Sequence, residues 1–351
     1  MRWRLLLWLA LATPLHAADF AMVKPGAAIS LPRDHGAHPD FRTEWWYLTG
    51  WLKTAKGEDL GFQITFFRTK TATDPANPSQ FSPGQILFAH AAIADPATGK
   101  LRHAQRIARA GFGLAQASTA DTHIVIDDWR LDRGADGRFV AHVVGEGFAL
   151  DLVLTPQQAA ILQGDAGYSQ KGPAPSEASH YYSVPHLAVS GSVRRGDTAA
   201  IVTGTAWLDR EWSSTLLNPK AVGWDWLGLN MDDGGALTLF RVRDARGKDV
   251  WAGGSYRDSK GLQTKLGPGD VRFIPGRRWR SPRTGAVYPV APQVILRLKT
   301  RETAITVTPL FDDQELDSRR GGGPVYWEGA VRVPGGRGYL EMTGYAGRLR
   351  M

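Results

Sequence analysis

Short apolar runs separated by turn residues constrain the fold of this chain more than any other feature. The runs are rich in Val, Ile, Phe and Trp, alternate with clusters of Gly, Asp, Asn and Pro, and show almost no long helical periodicity. Strands are predicted at residues 47–52, 60–68, 86–94, 123–128, 139–145, 148–154, 187–193, 199–208, 236–243, 294–300 and 339–345. One short helix is predicted at residues 156–162. Many short antiparallel strands of this kind predict an all-β barrel or sandwich.

Composition narrows the class of protein further. The chain has 351 residues, 43% of them hydrophobic and 22% charged, which fits a folded protein with room for two domains. The net charge of +8 is spread along the chain, without the basic tail or stripe that would indicate a nucleic-acid partner. With 0 Cys, the sequence excludes a thiolate nucleophile and a Cys metal site.

The N-terminus has the pattern of a secretory signal peptide. Arg2 and Arg4 supply the positive region, residues 5–11 are apolar, and small residues end the segment. Cleavage is predicted after Ala17 or Ala18, and the apolar run is too short to span a bilayer. We therefore expect a periplasmic or secreted protein.

An internal sequence repeat divides the rest of the chain. Residues 45–48 (Trp-Trp-Tyr-Leu) are followed by a Gly-containing turn and by residues 62–68, which end in Phe-Arg. Residues 224–227 (Trp-Asp-Trp-Leu) are likewise followed by residues 237–241, which again end in Phe-Arg. The repeat predicts two similar β-domains in tandem.

A segment at residues 163–179, rich in Gly, Ser, Pro and Ala, is the predicted linker between them. The predicted organisation is a signal peptide at residues 1–18, an N-terminal domain at 19–180 and a C-terminal domain at 181–351. Each half has the size of a small barrel that can hold one apolar ligand. Whether a pocket lies within one barrel or between the two stays open.

Acid–aromatic clusters are the candidate functional features. They lie at residues 44–47 (Glu-Trp-Trp-Tyr), 209–212 (Asp-Arg-Glu-Trp) and 224–226 (Trp-Asp-Trp), in a chain that contains 13 Trp. Aromatic rings supply apolar surface and a negative π-face, and burial among them raises the pKa of a carboxyl group. The pattern predicts a pocket for an apolar ligand with an acid inside it. An ordinary β-core with a satisfied buried acid is the alternative.

Strand alternation sorts these residues between two faces. Glu44 shares a face with Trp46, whereas Trp45 shares the opposite face with Tyr47. In the second cluster the alternation groups Trp207, Asp209 and Glu211, which makes Trp207 rather than Trp212 the aromatic partner of Asp209. The candidate catalytic acids are Asp209, Glu211 and Glu44. The candidate ligand-binding residues are Trp45, Trp46, Tyr47, His180, Tyr182, Trp207, Arg210, Trp212, Trp224, Asp225 and Trp226.

Residues 34–39 (Asp-His-Gly-Ala-His-Pro) followed by Glu-Trp-Trp-Tyr at 44–47 resemble the AttH/CrtC family of lipocalin-like secreted proteins. Further similarity lies at residues 180–183, 207–212 and 223–226, so the resemblance spans nearly the whole chain after the signal peptide. It implies two lipocalin-like, or calycin-like, antiparallel β-barrels packed together. The family includes carotenoid 1,2-hydratases, fungal relatives that act on polyketide or prenylated substrates, and proteins described only as secreted hydrolases.

The chain departs from the hydratase branch at one motif. In the hydratases that this chain resembles, the corresponding motif reads Asp-His-Asn-Trp, and its His and Trp are implicated in catalysis. In this chain residues 209–212 place Arg210 at the His position. Where the hydratases use a Tyr and an Asp, this chain offers Phe240, Arg241 and Asp244. The resemblance therefore does not carry carotenoid hydration onto this chain.

The sequence predicts a protein that binds a hydrophobic, isoprenoid- or lipid-like ligand. One hypothesis adds cofactor-free hydratase or hydrolase chemistry by buried carboxylates. The other is a carrier, or an accessory protein of an envelope ABC transporter. No metal is expected because His35 and His38 have a loop-like spacing, and no Gly-x-Ser-x-Gly elbow indicates a serine hydrolase.

Overall fold

The computed structural model of the protein describes residues 20–73, 77–79, 81–215, 217–299 and 301–349. The predicted signal peptide lies outside the described residues. Within them the chain is almost entirely antiparallel β-structure, and no helix is long and apolar enough to cross a membrane.

A 13-stranded antiparallel sheet takes up the first part of the described chain, after a short 3-10 helix at Arg33–His35. Its strands are β1 (Thr43–Thr54), β2 (Asp59–Lys70), β3 (Gln85–Asp95), β4 (Lys100–Arg109), β5 (Ala115–Ala117), β6 (His123–Ile126), β7 (Trp129–Arg133), β8 (Phe139–Gly145), β9 (Phe148–Pro156), β10 (Ile161–Leu162), β11 (Tyr168–Gln170), β12 (Ala178–Arg195) and β13 (Thr198–Thr215). The order β4-β3-β2-β1-β13-β12-β9-β8-β7-β6-β5 curls until β4 meets β6 and β8. This is a nearly closed barrel, as the sequence predicted.

The second part of the chain forms an 8-stranded sheet and a 3-stranded sheet. The larger sheet contains β14 (Ala221–Met231), β15 (Ala236–Asp244), β16 (Asp249–Arg257), β17 (Gln263–Leu266), β21 (Thr308–Pro309), β22 (Glu315–Asp317), β23 (Val325–Val333) and β24 (Gly336–Thr343). The smaller contains β18 (Val271–Arg280), β19 (Val287–Leu298) and β20 (Arg301–Thr306), and a 3-10 helix lies at Arg319–Gly321. The two sheets enclose a second core that includes Leu239, Phe273, Val294 and Trp327.

The interior of the first barrel is filled by side chains. Trp46, Phe62, Phe66 and Trp129 are among its fully buried residues, and they belong to one continuous core. Small barrels are commonly packed in this way rather than hollow. An apolar ligand must therefore find its space elsewhere.

The division between the two halves differs from the predicted boundary at residue 180. Strands β12 and β13 belong to the first sheet, so the sheets part between Thr215 and Ala221. The predicted linker at residues 163–179 instead contains β11, which pairs with β12. Its Gly and Pro residues serve tight turns inside a domain, a use that composition alone does not distinguish from a linker. The helix predicted at residues 156–162 is also wrong, because this segment ends β9 and forms β10.

The first copy of the internal repeat is the hairpin β1–β2. Glu44 lies opposite Arg68, and Trp45 lies opposite Phe67. Because side chains alternate across a strand, the ion pair points into the barrel and the aromatic pair points to the outer face.

The second copy of the repeat is the hairpin β14–β15, which has the same arrangement. Asp225 lies opposite Arg241, and Trp226 lies opposite Phe240. The repeated motif therefore buries an acid–Arg pair inside each half and presents a Trp–Phe pair outward. These two outward faces meet, because β1 contacts β24, β2 contacts β23 and β13 contacts β14.

Candidate functional site

A cavity of about 1170 Å³ lies between the two halves. Its walls are the outer faces of β1, β2, β3 and β13 on one side and of β14, β15, β23 and β24 on the other. Its volume is slightly above the usual range of about 300–1,000 Å³ for small-molecule sites. The open choice between a pocket within one barrel and a pocket between them is thus resolved in favour of the interface.

Aromatic side chains form much of the cavity wall. Trp45, Phe67, Phe88, Trp226 and Phe240 all line it. Phe67 and Phe88 stack with their ring centroids 4.4 Å apart. Such a wall offers apolar contact and negative π-faces to whatever occupies the space.

The cavity deepens along strand β1. Arg42 is exposed, Trp45 is half-buried and Tyr47 is buried, and all three line the cavity. At the usual strand rise, the four steps along the strand from Thr43 to Tyr47 span about 13 Å. Tyr47 therefore marks the floor of an elongated pocket, and its ring meets Trp226 edge-on with centroids 5.2 Å apart.

Asp209 lies on the floor and accepts three hydrogen bonds. Tyr181 Oη donates to Oδ2 at 2.8 Å, while Ser183 Oγ and Trp207 Nε1 donate to Oδ1 at 2.5 and 2.7 Å. Burial nevertheless dominates and raises the pKa of Asp209 to about 7. The Trp207 bond confirms the predicted pairing of that ring with Asp209. A carboxyl group that lines a cavity and has a pKa near 7 can donate or accept a proton at neutral pH.

Glu328 and Glu341 form a second acidic element. They are direct cross-strand neighbours on β23 and β24, and both line the cavity. Tyr47 Oη donates to Glu328 Oε1 at 2.5 Å, and Trp224 Nε1 donates to Glu341 Oε1 at 3.1 Å. Directly opposed like charges are unfavourable, so the pair favours a state with fewer than two negative charges.

The electrostatics of this pair agree with its placement. Burial, reinforced by the nearby Glu341 charge, holds the pKa of Glu328 well above its usual range. Burial also raises the pKa of Glu341 to about 8, with the charges of Asp209 and Glu211 adding to the effect.

Glu211 is the carboxylate in this group that has a cationic partner. Lys171 Nζ lies 3.1 Å from Glu211 Oε1, and among the described ion pairs no other involves Asp209, Glu211, Glu328 or Glu341. The ammonium also lies 4.5 Å from the ring centroid of Tyr181 and 4.3 Å from that of Phe240. The ammonium of Lys171 thus joins the Glu211 carboxylate to two aromatic rings in one cluster.

His90 lines the same cavity on β3. Its Nδ1 lies 2.8 Å from Tyr326 Oη, so the two share a hydrogen bond. Burial lowers the pKa of His90 to about 3, which keeps the imidazole neutral near pH 7. His90 is therefore a neutral hydrogen-bonding group rather than a charged acid.

Glu44 lies inside the first barrel, away from the cavity, which removes it from the candidate catalytic acids. It forms ion pairs with Arg68 and with Arg210, the latter at 2.9 Å, and accepts from the backbone N–H of His38. Burial opposes ionisation, but the His38 hydrogen bond and the Arg charges outweigh it and lower the pKa of Glu44 to about 2. The position of Glu44 fits the alternative of an ordinary β-core that contains a buried acid with its charge and hydrogen bonds satisfied.

Several predicted ligand-binding residues also point away from the cavity. Arg210 donates to the backbone oxygens of Gly36 and Trp45, and Trp212 stacks on His38 with centroids 3.8 Å apart. The predicted residues that do not line the cavity are Trp46, His180, Tyr182, Trp207, Arg210, Trp212 and Asp225; those that do are Trp45, Tyr47, Asp209, Glu211, Trp224 and Trp226. These positions follow the predicted alternation except for Trp207, which bonds to Asp209 on the same face without lining the cavity.

Sequence reasoning missed Lys171, Glu328 and Glu341. Each Glu sits in the middle of an apolar strand, in Tyr-Trp-Glu-Gly-Ala-Val and Tyr-Leu-Glu-Met-Thr. That interruption of an apolar run was the available signal. Lys171 had none, because it lies in the segment interpreted as a linker. Among the described residues, no group of three or more His, Asp or Glu is arranged to hold a metal ion.

Comparisons with known proteins agree with this architecture. A family described as AttH-like matches residues 22–345. A crystal structure from Nitrosomonas europaea, of a protein provisionally named as an AttH, is 51% identical with a TM-score of 0.86, and covers 93% of this chain and 100% of that chain. No curated protein matches the chain.

A more distant structural match is kievitone hydratase from Nectria haematococca. Its structure is 13% identical with a TM-score of 0.69, and covers 93% of this chain and 97% of that chain. At this identity the likeness shows a shared lipocalin-like fold. Because the AttH-like match covers nearly all of the described chain, this protein belongs to the AttH-like family.

Proposed function

We propose that this protein binds a hydrophobic small molecule in the cavity between its two halves and adds water to a carbon–carbon double bond there. The observation that carries the proposal is a set of buried, protonatable carboxyl groups on the floor of an aromatic-walled cavity. The relatedness in fold to a hydratase supports the same reaction class. Isoprenoid- or lipid-like molecules suit such a wall.

Two groups on the floor have complementary roles in this chemistry. Protonated Glu341 donates a proton to one alkene carbon, and the oxygen of a water molecule bonds to the other carbon. Ionised Asp209 takes the proton that this water loses. A proton then passes from Asp209 back to Glu341, so the net reaction consumes the alkene and one water without a cofactor. The π-faces of Trp226 and Tyr47 stabilise the positive charge that develops, by up to about 2 kcal/mol per ring when desolvated.

The activity is expected to show a bell-shaped dependence on pH. The base must be ionised, so the rate rises as pH passes through the value of about 7 to which burial raises the pKa of Asp209. The acid must keep its proton, so the rate falls as pH passes through the pKa of about 8 of Glu341. Measuring kcat/KM from pH 5 to 10 tests this expectation, and a rate independent of pH between 6 and 9 contradicts it.

The test of the function as a whole begins with the native ligand. Native mass spectrometry of the protein purified from its own organism identifies what co-purifies. The released molecules and a panel of unsaturated isoprenoids are then incubated with the protein in ¹⁸O-labelled water. The proposal expects products that gain one labelled oxygen and two hydrogens.

Ligand binding without labelled product would support a carrier instead. The hydrogen bonds of Asp209 and the Glu211–Lys171 ion pair are what a carrier would also have. We further propose, from the predicted signal peptide, that the protein works in the periplasm or outside the cell. Cell fractionation tests this placement, and co-purification tests the proposed envelope transporter partner.

A further inference from the structure

Glu328, on the cavity floor, has an oxygen atom without a hydrogen-bond partner. Glu328 is 0% exposed, and its Oε2 has no hydrogen-bond partner among the described residues, although the residue lines the cavity. Buried polar atoms are rarely left in this state, and each one costs free energy until it is paired. The unpaired oxygen therefore points to a partner that the ligand supplies.

The surroundings of Glu328 decide which form of the group is present. Glu341 faces it from β24 and Tyr47 from β1, while Tyr326 and Tyr339 interact with it electrostatically. None of these is a cation. An ionised carboxylate buried without a cation is strongly disfavoured, so Glu328 is neutral among these neighbours.

The hydrogen bond from Tyr47 then fixes where the acidic proton lies. Because Tyr47 Oη donates to Oε1, this oxygen acts as the acceptor of the neutral acid. The remaining oxygen, Oε2, carries the proton. The floor of the cavity thus presents an O–H donor that has no hydrogen-bond partner among the residues the structure describes.

We infer that Glu328 Oε2–H donates a hydrogen bond to a neutral oxygen of the ligand. The ligand class is an apolar molecule with a carbonyl, hydroxyl or ether oxygen at the end that enters the cavity first. An amine would instead favour an ionised Glu328, and a ligand carboxylate would be repelled by Glu211 and by ionised Asp209. Glu328 is on this view a specificity-determining residue, an assignment that rests on the proposed binding function.

The apolar part of the ligand has a defined place in this arrangement. Trp45 and Phe67 lie between the mouth and Tyr47, so the hydrocarbon body rests on these rings. The oxygen lies near Tyr47 and Glu328, about 13 Å below Thr43 at the strand rise. This end also lies beside Asp209 and Glu341, which brings a double bond close to the oxygen within reach of the proposed chemistry.

The experiment compares three ligands of equal length: a long-chain ketone, the parent alkane and the primary amine. Dissociation constants come from quenching of tryptophan fluorescence in the full-length protein. The expected result is that the wild-type protein binds the ketone about tenfold more tightly than the alkane. Glu328→Gln keeps this preference because its amide N–H₂ replaces the O–H donor. Glu328→Leu loses it.

Tyr339→Phe is the matched control. Its hydroxyl also lacks a partner but does not line the cavity, so its removal is expected to leave the ketone preference unchanged. Equal affinity for ketone and alkane in the wild-type protein overturns the inference while leaving hydrophobic binding intact. A preference for the amine, or equal loss in both Glu328 variants, also overturns it. Binding of none of the three ligands contradicts the proposed function itself.

Discussion

Replacing Asp209 with Asn is expected to lower the hydration rate by a factor of about 10²–10⁴, the usual contribution of a positioned acid or base. The amide cannot take the proton that water must lose. Its shape is nearly that of the carboxylate, so Ser183 and Trp207 still donate to Oδ1. Ligand affinity is therefore expected to change by no more than a few-fold. Single-turnover rates and equilibrium binding, measured on the same preparation, separate the two effects.

The control for this variant is Asp151→Asn. Asp151 is exposed on β9, is bonded to His142 and does not line the cavity. It is expected to leave both rate and affinity unchanged. If Asp209→Asn retains the full rate of hydration, Asp209 is not the base. If Asp209→Asn instead fails to fold, as the loss of its thermal transition would show, the assay is repeated with Asp209→Glu, which keeps the charge.

Glu44→Gln is expected to destabilise the protein by about 3–5 kcal/mol, because it removes the shared partner of two buried guanidinium groups. Arg68 and Arg210 are both fully buried against Glu44, so neither can turn to solvent. Ligand binding at temperatures below the transition is expected to persist, since Glu44 lies on the other face of β1. Chemical denaturation with a constant m-value measures the loss.

The pH dependence of stability gives an independent check on Glu44. Its pKa is lowered to about 2 in the folded protein, so its contribution is present above the unfolded value near 4.5 and is lost as pH falls toward 2. In the Gln variant this part of the acid dependence is expected to disappear. Glu302→Gln, in an exposed pair with Arg272, serves as the control and should shift the midpoint little. A Glu44 variant as stable as this control would contradict the structural role.

Local periodicity predicted much that the structure confirms. The runs of β-branched and aromatic residues form strands, and alternation correctly separated Glu44 and Trp46 from Trp45 and Tyr47. It also grouped Asp209 with Trp207. These successes share one cause, since strand formation and side-chain alternation depend on neighbours in sequence.

Two predictions from the sequence were wrong because both relied on the composition of a segment. Residues 163–179 have the composition of a linker, yet pairing with β12 places them inside the first domain. The Glu44 cluster has the composition of a ligand pocket, yet its acid is neutralised by Arg68 and Arg210 from strands on either side of β1. Composition describes what a segment contains, whereas its partners decide what the segment does.

The sequence by itself determined an all-β chain with a repeated acid–aromatic hairpin, and it determined which side chains share a face. Tertiary structure alone decided which face became the barrel interior and which became the wall of a cavity. It also paired Glu341 with Glu328 and brought Glu341 close enough to Asp209 to raise its pKa, although Asp209 is more than 100 residues away in the chain. The physical reason is that burial and charge pairing depend on contacts between distant strands, and these set the pKa values on which the chemistry depends.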